Sequence, residues 1–120
     1  MVNTTTFLTT VLSGVRATVV AESTHLAVGV SGATATIGDT TLGDEKTRKA
    51  RQEYTEGTSD VITSLWINSA ESNGNTLKEV GVFDASSGGN MASRNTFTDI
   101  SKTSSIEVWI DVEEQIEVTQ

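Results

Sequence analysis

The stretch IEVWIDVEEQIEV, residues 106–118, gives the clearest structural signal in the chain. Apolar side chains occupy every second position from Ile106 to Val112, with acidic residues or Trp109 between them. Because successive side chains of a strand point to opposite faces, this alternation predicts a β-strand over about 106–118 with one apolar face. Such a strand is longer than the usual five or six residues, so we expect it to bend or to extend beyond one sheet.

A second alternating stretch, residues 61–68, predicts a strand with one apolar face and one mixed face. Asn73-Gly74 follows it, and residues 77–83 then read as another strand. Because Asn-Gly tolerates the positive φ angles of tight turns, we expect a hairpin that joins these two strands. The remaining strands are predicted at residues 17–21, 26–30 and 91–97, the last after a turn at 86–90.

The N-terminal segment shows the spacing of an amphipathic helix. Its apolar residues are Phe7, Leu8, Val11, Leu12 and Val15. Threonines at positions 4–6 offer an N-cap hydroxyl and Gly14 a C-terminal stop, which predicts a short helix over about 5–13. Its β-branched threonines lower the helix propensity, so this helix requires docking to be stable.

Residues 39–51 are charged and polar, with Leu42 as the one apolar anchor, and predict an exposed connection with a single helical turn that includes Leu42 and Glu45. We therefore expect a mainly β chain, an antiparallel β-sandwich with a short N-terminal helix. It forms a single domain over 1–120, with the helix at about 5–13 and the sandwich at about 17–118.

Composition narrows the classes of function. Sixteen acidic residues oppose eight basic ones, for a net charge of −8, which disfavours binding to nucleic acid or to anionic lipid. No apolar stretch reaches the roughly 20 residues that span a bilayer, and the N-terminus does not look like a secretory signal. The hydrophobic fraction is 36%, so we expect part of the apolar surface to be buried between subunits.

Candidate catalytic and metal-binding residues are few. His25 is the one histidine, and no Gly-x-Ser-x-Gly elbow accompanies it, so we expect a structural or surface role. Asp39, Asp44 and Glu45 lack the spacing of a calcium loop, and capping or ion pairs to nearby Lys or Arg explain them. We expect no catalytic residue, no cofactor and no metal, and hence no enzyme.

The most informative aromatic residues are Trp66 and Trp109, which stand on otherwise polar strand faces and are either covered or exposed as interface anchors. Arg94 and Lys102 are among few cations, so each is expected to have a carboxylate partner, Glu79 or Asp84. The candidate interface residues are Phe7, Leu8, Trp66, Arg94 and Trp109.

The order of several segments resembles small virion proteins of tailed bacterial and archaeal viruses, of the tail-fibre, baseplate and tail-collar type. The segments that carry the resemblance are LSG at 12–14, THLAVGV at 24–30, DTTLGDE at 39–45 followed by Arg48, LKEVGVFD at 77–84, GGNMASR at 88–94 and ISKT at 100–103. The resemblance implies a β-rich virion component that is assembled in multiple copies and has no catalytic residues.

We therefore expect a structural component of the viral tail, baseplate or fibre-attachment region that folds in the host cytoplasm and resides in the virion. The alternatives are a capsid decoration, turret or spike subunit, and a glycan-binding module for host attachment. Expected partners are copies of the chain itself and other virion proteins, and in the last alternative a host surface glycan. Neither nucleic acid nor membrane insertion is expected.

Overall fold

A computed structural model describes residues 2–12, 24–36, 38–56 and 60–117 of the chain. Within these ranges the chain forms eight β-strands and no helix. The strands are β1 (Val2–Leu12), β2 (His25–Gly29), β3 (Glu45–Ala50), β4 (Glu53–Glu56), β5 (Asp60–Ile67), β6 (Thr76–Phe83), β7 (Met91–Ser101) and β8 (Glu107–Glu117). The prediction of a mainly β fold is confirmed.

The strands form two four-stranded sheets. The first sheet has the order β1-β8-β5-β4, and the second has the order β3-β2-β6-β7. Neighbouring strands are antiparallel except β1 and β8, which are parallel. One cluster of buried apolar side chains from both sheets lies between them, the arrangement expected of a β-sandwich. Its members are Leu26, Val28, Leu65, Ile67, Leu77, Val80, Val82, Val108, Ile110 and Val112.

The strand predicted at 106–118 is confirmed as β8. Val108, Ile110 and Val112 are completely buried, as the alternation predicts. β8 lies between β1 and β5 and pairs with both along most of its length. The long strand therefore forms the centre of the first sheet, and its alternate residues form the outer face of that sheet.

The predicted N-terminal helix is wrong, because residues 2–12 form strand β1. The strand pairs with β8 in one continuous register, from Val2 opposite Glu107 to Leu12 opposite Glu117. Seven of its eleven residues are valine or threonine, whose branched Cβ favours strands over helices. The apolar spacing fits a helix, but the backbone hydrogen bonds go to a strand that is remote in the sequence.

The predicted hairpin after residues 61–68 is also wrong. Ser72 and Gly74 do adopt positive φ angles, of 54° and 85°, so the turn itself is present. However, β5 pairs with β8 in the first sheet and β6 pairs with β2 and β7 in the second. Residues 68–75 therefore carry the chain from one sheet to the other. The turn predicted at 86–90 is confirmed: Gly88 and Gly89 have positive φ, and the turn joins β6 and β7, which pair in a hairpin.

The exposed connection predicted at 39–51 is wrong in its second half. Residues 45–50 form β3, an edge strand that pairs with β2, and no helical turn is present there. Leu42 is buried, with 6% of its surface exposed. β3 has the sequence EKTRKA, with no apolar residue but a terminal alanine, so its strand character depends on the hydrogen bonds offered by β2. The strand predicted at 26–30 is confirmed as β2, and the one predicted at 17–21 lies outside the described residues.

Candidate interaction surfaces

The outer face of the second sheet is covered by the chain itself. The described residues of the connection between β2 and β3, 30–36 and 38–44, lie across this face. Leu42 from the connection packs with Ala27 of β2 and Phe83 of β6 in a second, smaller apolar cluster, against which Met91 also packs. This face is therefore closed to a partner where the connection crosses it.

The anchor of the connection is the carboxylate of Glu79, which is completely buried. Its oxygens accept backbone N–H bonds from Gly43 at 2.8 Å, Asp44 at 2.8 Å and Ser31 at 3.0 Å. Nε of Arg94 donates to the same carboxylate at 2.9 Å. A buried charge is tolerated only when it is paired and hydrogen-bonded, and here four donors meet that requirement.

Arg94 extends the network to the other side of the connection. One of its terminal nitrogens donates to Asp39 at 3.1 Å, and the other donates to the carbonyl oxygen of Ala33 at 2.9 Å. Asp39 in turn accepts bonds from the backbone N–H and the hydroxyl of Thr36, both at 3.0 Å. The predicted pairing of Arg94 with Glu79 is confirmed. Its side chain is only 4% exposed, and its role in a subunit contact stays a prediction.

The network shifts the ionisation of its members. For Glu79, burial acts to raise the pKa, but the hydrogen bonds from Arg94 and the backbone amides outweigh it and leave the pKa below its ordinary value. The pKa of Asp39 is also lowered, mainly by the backbone hydrogen bond from Thr36. For Arg94, burial acts to lower the pKa, but the hydrogen bonds to Glu79 and Asp39 outweigh this effect and leave the pKa above its ordinary value. All three groups are charged at neutral pH.

A shallow pocket of about 310 Å³ opens beside this network. Its walls are the connection itself and Arg94, each of whose three guanidinium nitrogens already donates one of the bonds described above. The pocket has hydroxyl and backbone groups rather than an array of apolar side chains. The lining residues are Ala33, Thr34, Gly38, Asp39, Thr40, Thr41, Leu42, Gly43 and Arg94.

Glycine permits the close packing at this face. A Cβ added at Gly29 would overlap the carbonyl oxygen of Asp44 and the carboxylate of Glu79. A Cβ at Gly81 would lie 2.8 Å from the Phe83 ring and 2.9 Å from Leu42. Gly81 therefore allows the Phe83 ring to lie close to the backbone of β6. The close approach at Gly29 could not be predicted, because the contacting groups, the Asp44 carbonyl and the Glu79 carboxylate, are not its neighbours in the sequence.

Arg48 of β3 holds the hairpin between β6 and β7. Its guanidinium lies 3.6 Å from the centroid of the Phe83 ring and donates to the carbonyl oxygens of Ala85 at 3.0 Å and Gly88 at 2.9 Å. Glu45 accepts from the same guanidinium at 2.7 Å. The side chain is only 9% exposed, so Arg48 is an internal cation of the fold.

The outer face of the first sheet has a different character. Trp66 of β5 and Trp109 of β8 lie directly opposite each other in the antiparallel register, so both rings project from the same face, and each residue is half-buried. Asp111 accepts a bond from the indole Nε1 of Trp109 at 2.6 Å and another from the hydroxyl of Ser64 at 2.5 Å. We call Trp66, Trp109, Ser64 and Asp111 the tryptophan face.

Charged residues surround the tryptophan face. From β8 Glu107 and Glu113 share its side of the sheet, and Glu53 of β4 lies opposite Ser64. The described cation at this face is Lys49, whose ammonium lies 5.3 Å from the Trp66 ring. Lys49 is engaged by the Trp66 carbonyl oxygen and by Glu71, at 2.7 and 2.8 Å. The face is therefore aromatic and acidic.

The structure also shows the surroundings of four other residues considered in the sequence analysis: His25, Lys102, Phe7 and Leu8. The ring nitrogen Nδ1 of His25 lies 2.9 Å from the hydroxyl of Thr24. Lys102 is buried and donates to the Asn73 side chain at 2.7 Å and to the Thr103 carbonyl oxygen at 2.9 Å, so these groups take the place of the predicted carboxylate. For Phe7 and Leu8 only the backbone is described, and the register sets them beside Val112 and Glu113.

The acidic residues considered for calcium are engaged in ion pairs, with the expected neighbouring cations for Asp44 and Glu45 but with the remote Arg94 for Asp39. Asp44 pairs with Lys46 at 3.4 Å and Glu45 with Arg48 at 2.7 Å, while Asp39 pairs with Arg94. Among the described residues, no group of three or more metal-ligating side chains is close enough to hold an ion. In the same part of the chain, no helix has the length and apolarity needed to cross a bilayer.

Comparisons with known proteins return no relative. No family model, no curated protein and no solved structure matches the chain.

Proposed function

We propose that the chain is a non-enzymatic structural subunit of a tailed-virus particle, present in multiple copies in the tail, baseplate or fibre-attachment region. The observation that carries the proposal is the difference between the two outer faces. The second sheet is covered by its own connection through Leu42, whereas the first sheet presents Trp66 and Trp109 side by side. Tryptophan is enriched among the residues that dominate binding energy at protein interfaces.

The order of sequence segments supports the viral part of the proposal, through its resemblance to tail-fibre, baseplate and tail-collar proteins. A capsid decoration, turret or spike subunit is the alternative within the same class. It would use the same tryptophan face and differs only in its place on the particle. Under both alternatives the chain folds in the host cytoplasm and gains stability on assembly.

The test is the fate of a Trp109→Ser variant during particle production. We expect the wild-type chain to be found by mass spectrometry in purified particles and to form oligomers in size-exclusion chromatography with light scattering. The variant should fold, as judged by circular dichroism, yet enter particles at a much lower level. Ser87→Ala, in the exposed β6–β7 hairpin, is the matched control. A wild-type chain that stays monomeric at high concentration and is absent from particles would exclude the proposal.

A glycan-binding module is the second candidate, and one observation favours it. Aromatic rings stack on the apolar faces of sugars, and here two rings lie beside the carboxylate of Asp111, which can accept hydrogen bonds from sugar hydroxyls. Tryptophan fluorescence titrated with host-surface glycans tests it. A saturable change in the wild type that is lost in Trp109→Ser would support this function, and an unchanged spectrum at millimolar sugar would exclude it.

A further inference from the structure

The tryptophan face combines two features that attract the same chemical group. Aromatic rings of tryptophan bind cations over their faces, and carboxylates bind guanidinium and ammonium groups by charged hydrogen bonds. Here Trp66 and Trp109 lie beside Asp111, with Glu107 and Glu113 on the same side of β8. A neutral or anionic ligand would lack the attraction between its own charge and these rings and carboxylates.

The chain itself already places a cation at one of the two rings. Nζ of Lys49 lies 5.3 Å from the centroid of the Trp66 ring and 2.8 Å from a carboxylate oxygen of Glu71. Within one subunit, therefore, the Lys49 ammonium lies between an aromatic ring and a carboxylate. Trp109 and Asp111 repeat the ring and the acid on the neighbouring strand.

Asp111 has one carboxylate oxygen to offer a partner. Both of its described hydrogen bonds, from Ser64 and from Trp109, end on Oδ1. Among the side chains that the structure describes, which do not include those of β1, none donates to Oδ2. These two bonds also fix the orientation of the carboxylate beside the Trp109 ring, which lowers the entropic cost of binding.

Charge decides between kinds of partner. A symmetric contact between two copies would place the same patch on both subunits, so Glu107, Asp111 and Glu113 would face their own copies. Like charges brought together at an interface cost several kcal/mol. A chain with a net charge of −8 also repels anionic glycans and lipids. The complementary partner is a different, basic protein surface.

We propose that the tryptophan face binds a basic surface of another protein, with an arginine guanidinium over Trp109 and hydrogen-bonded to Asp111. The inference rests on the proposed assembly role, because it names the chemistry of the neighbour in the particle. Arginine fits better than lysine, since its planar guanidinium stacks on an aromatic ring while its N–H groups donate to a carboxylate oxygen.

The experiment uses the full chain and three peptide probes, hexa-arginine, hexa-lysine and hexa-citrulline, the last being an uncharged analogue of arginine. Binding is followed by tryptophan fluorescence and by calorimetry at low and moderate salt. We expect saturable binding of hexa-arginine, weaker binding of hexa-lysine and none of hexa-citrulline. Trp109→Leu and Asp111→Asn should each reduce the affinity for hexa-arginine about tenfold. Asp111→Asn preserves the side-chain shape, so it serves as the test if Trp109→Leu does not fold.

Asp99→Asn is the control for net charge, because Asp99 is exposed on the second sheet and loses one negative charge in the same way. Its affinity for hexa-arginine should stay within about twofold of the wild type. Equal binding by Asp111→Asn and Asp99→Asn would overturn the inference, as would saturation by a neutral oligosaccharide with no response to hexa-arginine. If the wild-type chain enters particles but does not bind the probe, the assembly role stands and this inference falls. If it binds the probe but is absent from particles, the assembly role falls.

Discussion

The carboxylate of Glu79 and the guanidinium of Arg94 form an ion pair that is almost completely withdrawn from solvent, with 0% and 4% of the two side chains exposed. The pair joins β6 to β7, and through Ser31, Gly43 and Asp44 it also holds the connection that covers the second sheet. One buried carboxylate therefore determines the path of a whole loop.

Removal of one partner of this pair should be strongly destabilising. Arg94→Met leaves the Glu79 charge buried without its cation, and we expect a loss of about 3–5 kcal/mol in the free energy of unfolding. Urea denaturation measures it. Lys78→Met, which breaks the exposed pair with Asp99 at 3.7 Å, is the matched control and should cost less than about 1 kcal/mol. Equal losses of unfolding free energy in the two variants would contradict the larger contribution that we assign to the buried pair.

The stability of the protein should fall as the solution becomes acidic. The pKa of Glu79 is lowered in the folded chain, so its contribution is complete above its unfolded value, near 4.5, and is lost as the pH falls through the lower folded value. Urea denaturation at a series of pH values tests this. Glu79→Gln should be less stable than the wild type at neutral pH and should show a smaller decrease below about pH 4.5. Parallel pH profiles for the two proteins would exclude this role of Glu79.

Addition of a single methyl group at Gly81 should disturb the cluster beneath the connection. Its Cβ would meet the Phe83 ring and Leu42 at distances that require both to move, so we expect Gly81→Ala to cost about 1–3 kcal/mol. Thermal unfolding followed by circular dichroism is a sufficient measurement. At Gly32 the nearest atom would be the Lys78 side chain at an ordinary 3.5 Å, which makes Gly32→Ala the control with little expected effect.

Loss of the guanidinium of Arg48 should release the hairpin between β6 and β7. Arg48→Met removes the contact with the Phe83 ring and the bonds to Ala85 and Gly88, so residues 84–90 should be cleaved faster in limited proteolysis. Arg48→Lys should restore only part of the protection, because an ammonium can replace the one nitrogen that donates to both carbonyl oxygens but not the planar group that stacks on the Phe83 ring and binds Glu45 through two nitrogens. Cleavage at the wild-type rate in Arg48→Met would show that the hairpin holds without this cation.

Strands whose apolar side chains alternate could be predicted from the sequence, since alternation reflects burial of one face. This holds for β5 and β8, where Val61, Leu65 and Val108 are completely buried. It fails for β3, whose polar residues carry no pattern, and for β1, whose apolar spacing also fits a helix. In both cases the strand depends on hydrogen bonds from a partner that the local sequence does not reveal.

The turns could be predicted from the sequence, but the pairing of the strands that they join could not. Asn73-Gly74 and Gly88-Gly89 both predict reversals, and both are present with positive φ at glycine. The local residues do not say whether the next strand returns to the same sheet or crosses to the other, because this depends on which apolar faces remain uncovered.

A carboxylate partner for Arg94 could be predicted from the scarcity of cations in an acidic chain, but the choice of Glu79 over Asp84 could not. The three amides that complete the site could not, because they come from a connection whose path is set by Glu79 itself. The outward position of Trp66 and Trp109 followed from alternation, but their direct opposition depends on the register between β5 and β8.

The position of β8 between β1 and β5 bears on how the chain is made. Translation delivers β1 early and β8 late, so residues 2–12 wait for their partner until almost every other described residue has left the ribosome. During that interval an uncharged strand of eleven residues has no cognate edge and is open to pairing with other nascent chains. The interval between synthesis of β1 and synthesis of β8 is therefore the period in which β1 is most open to association with other chains.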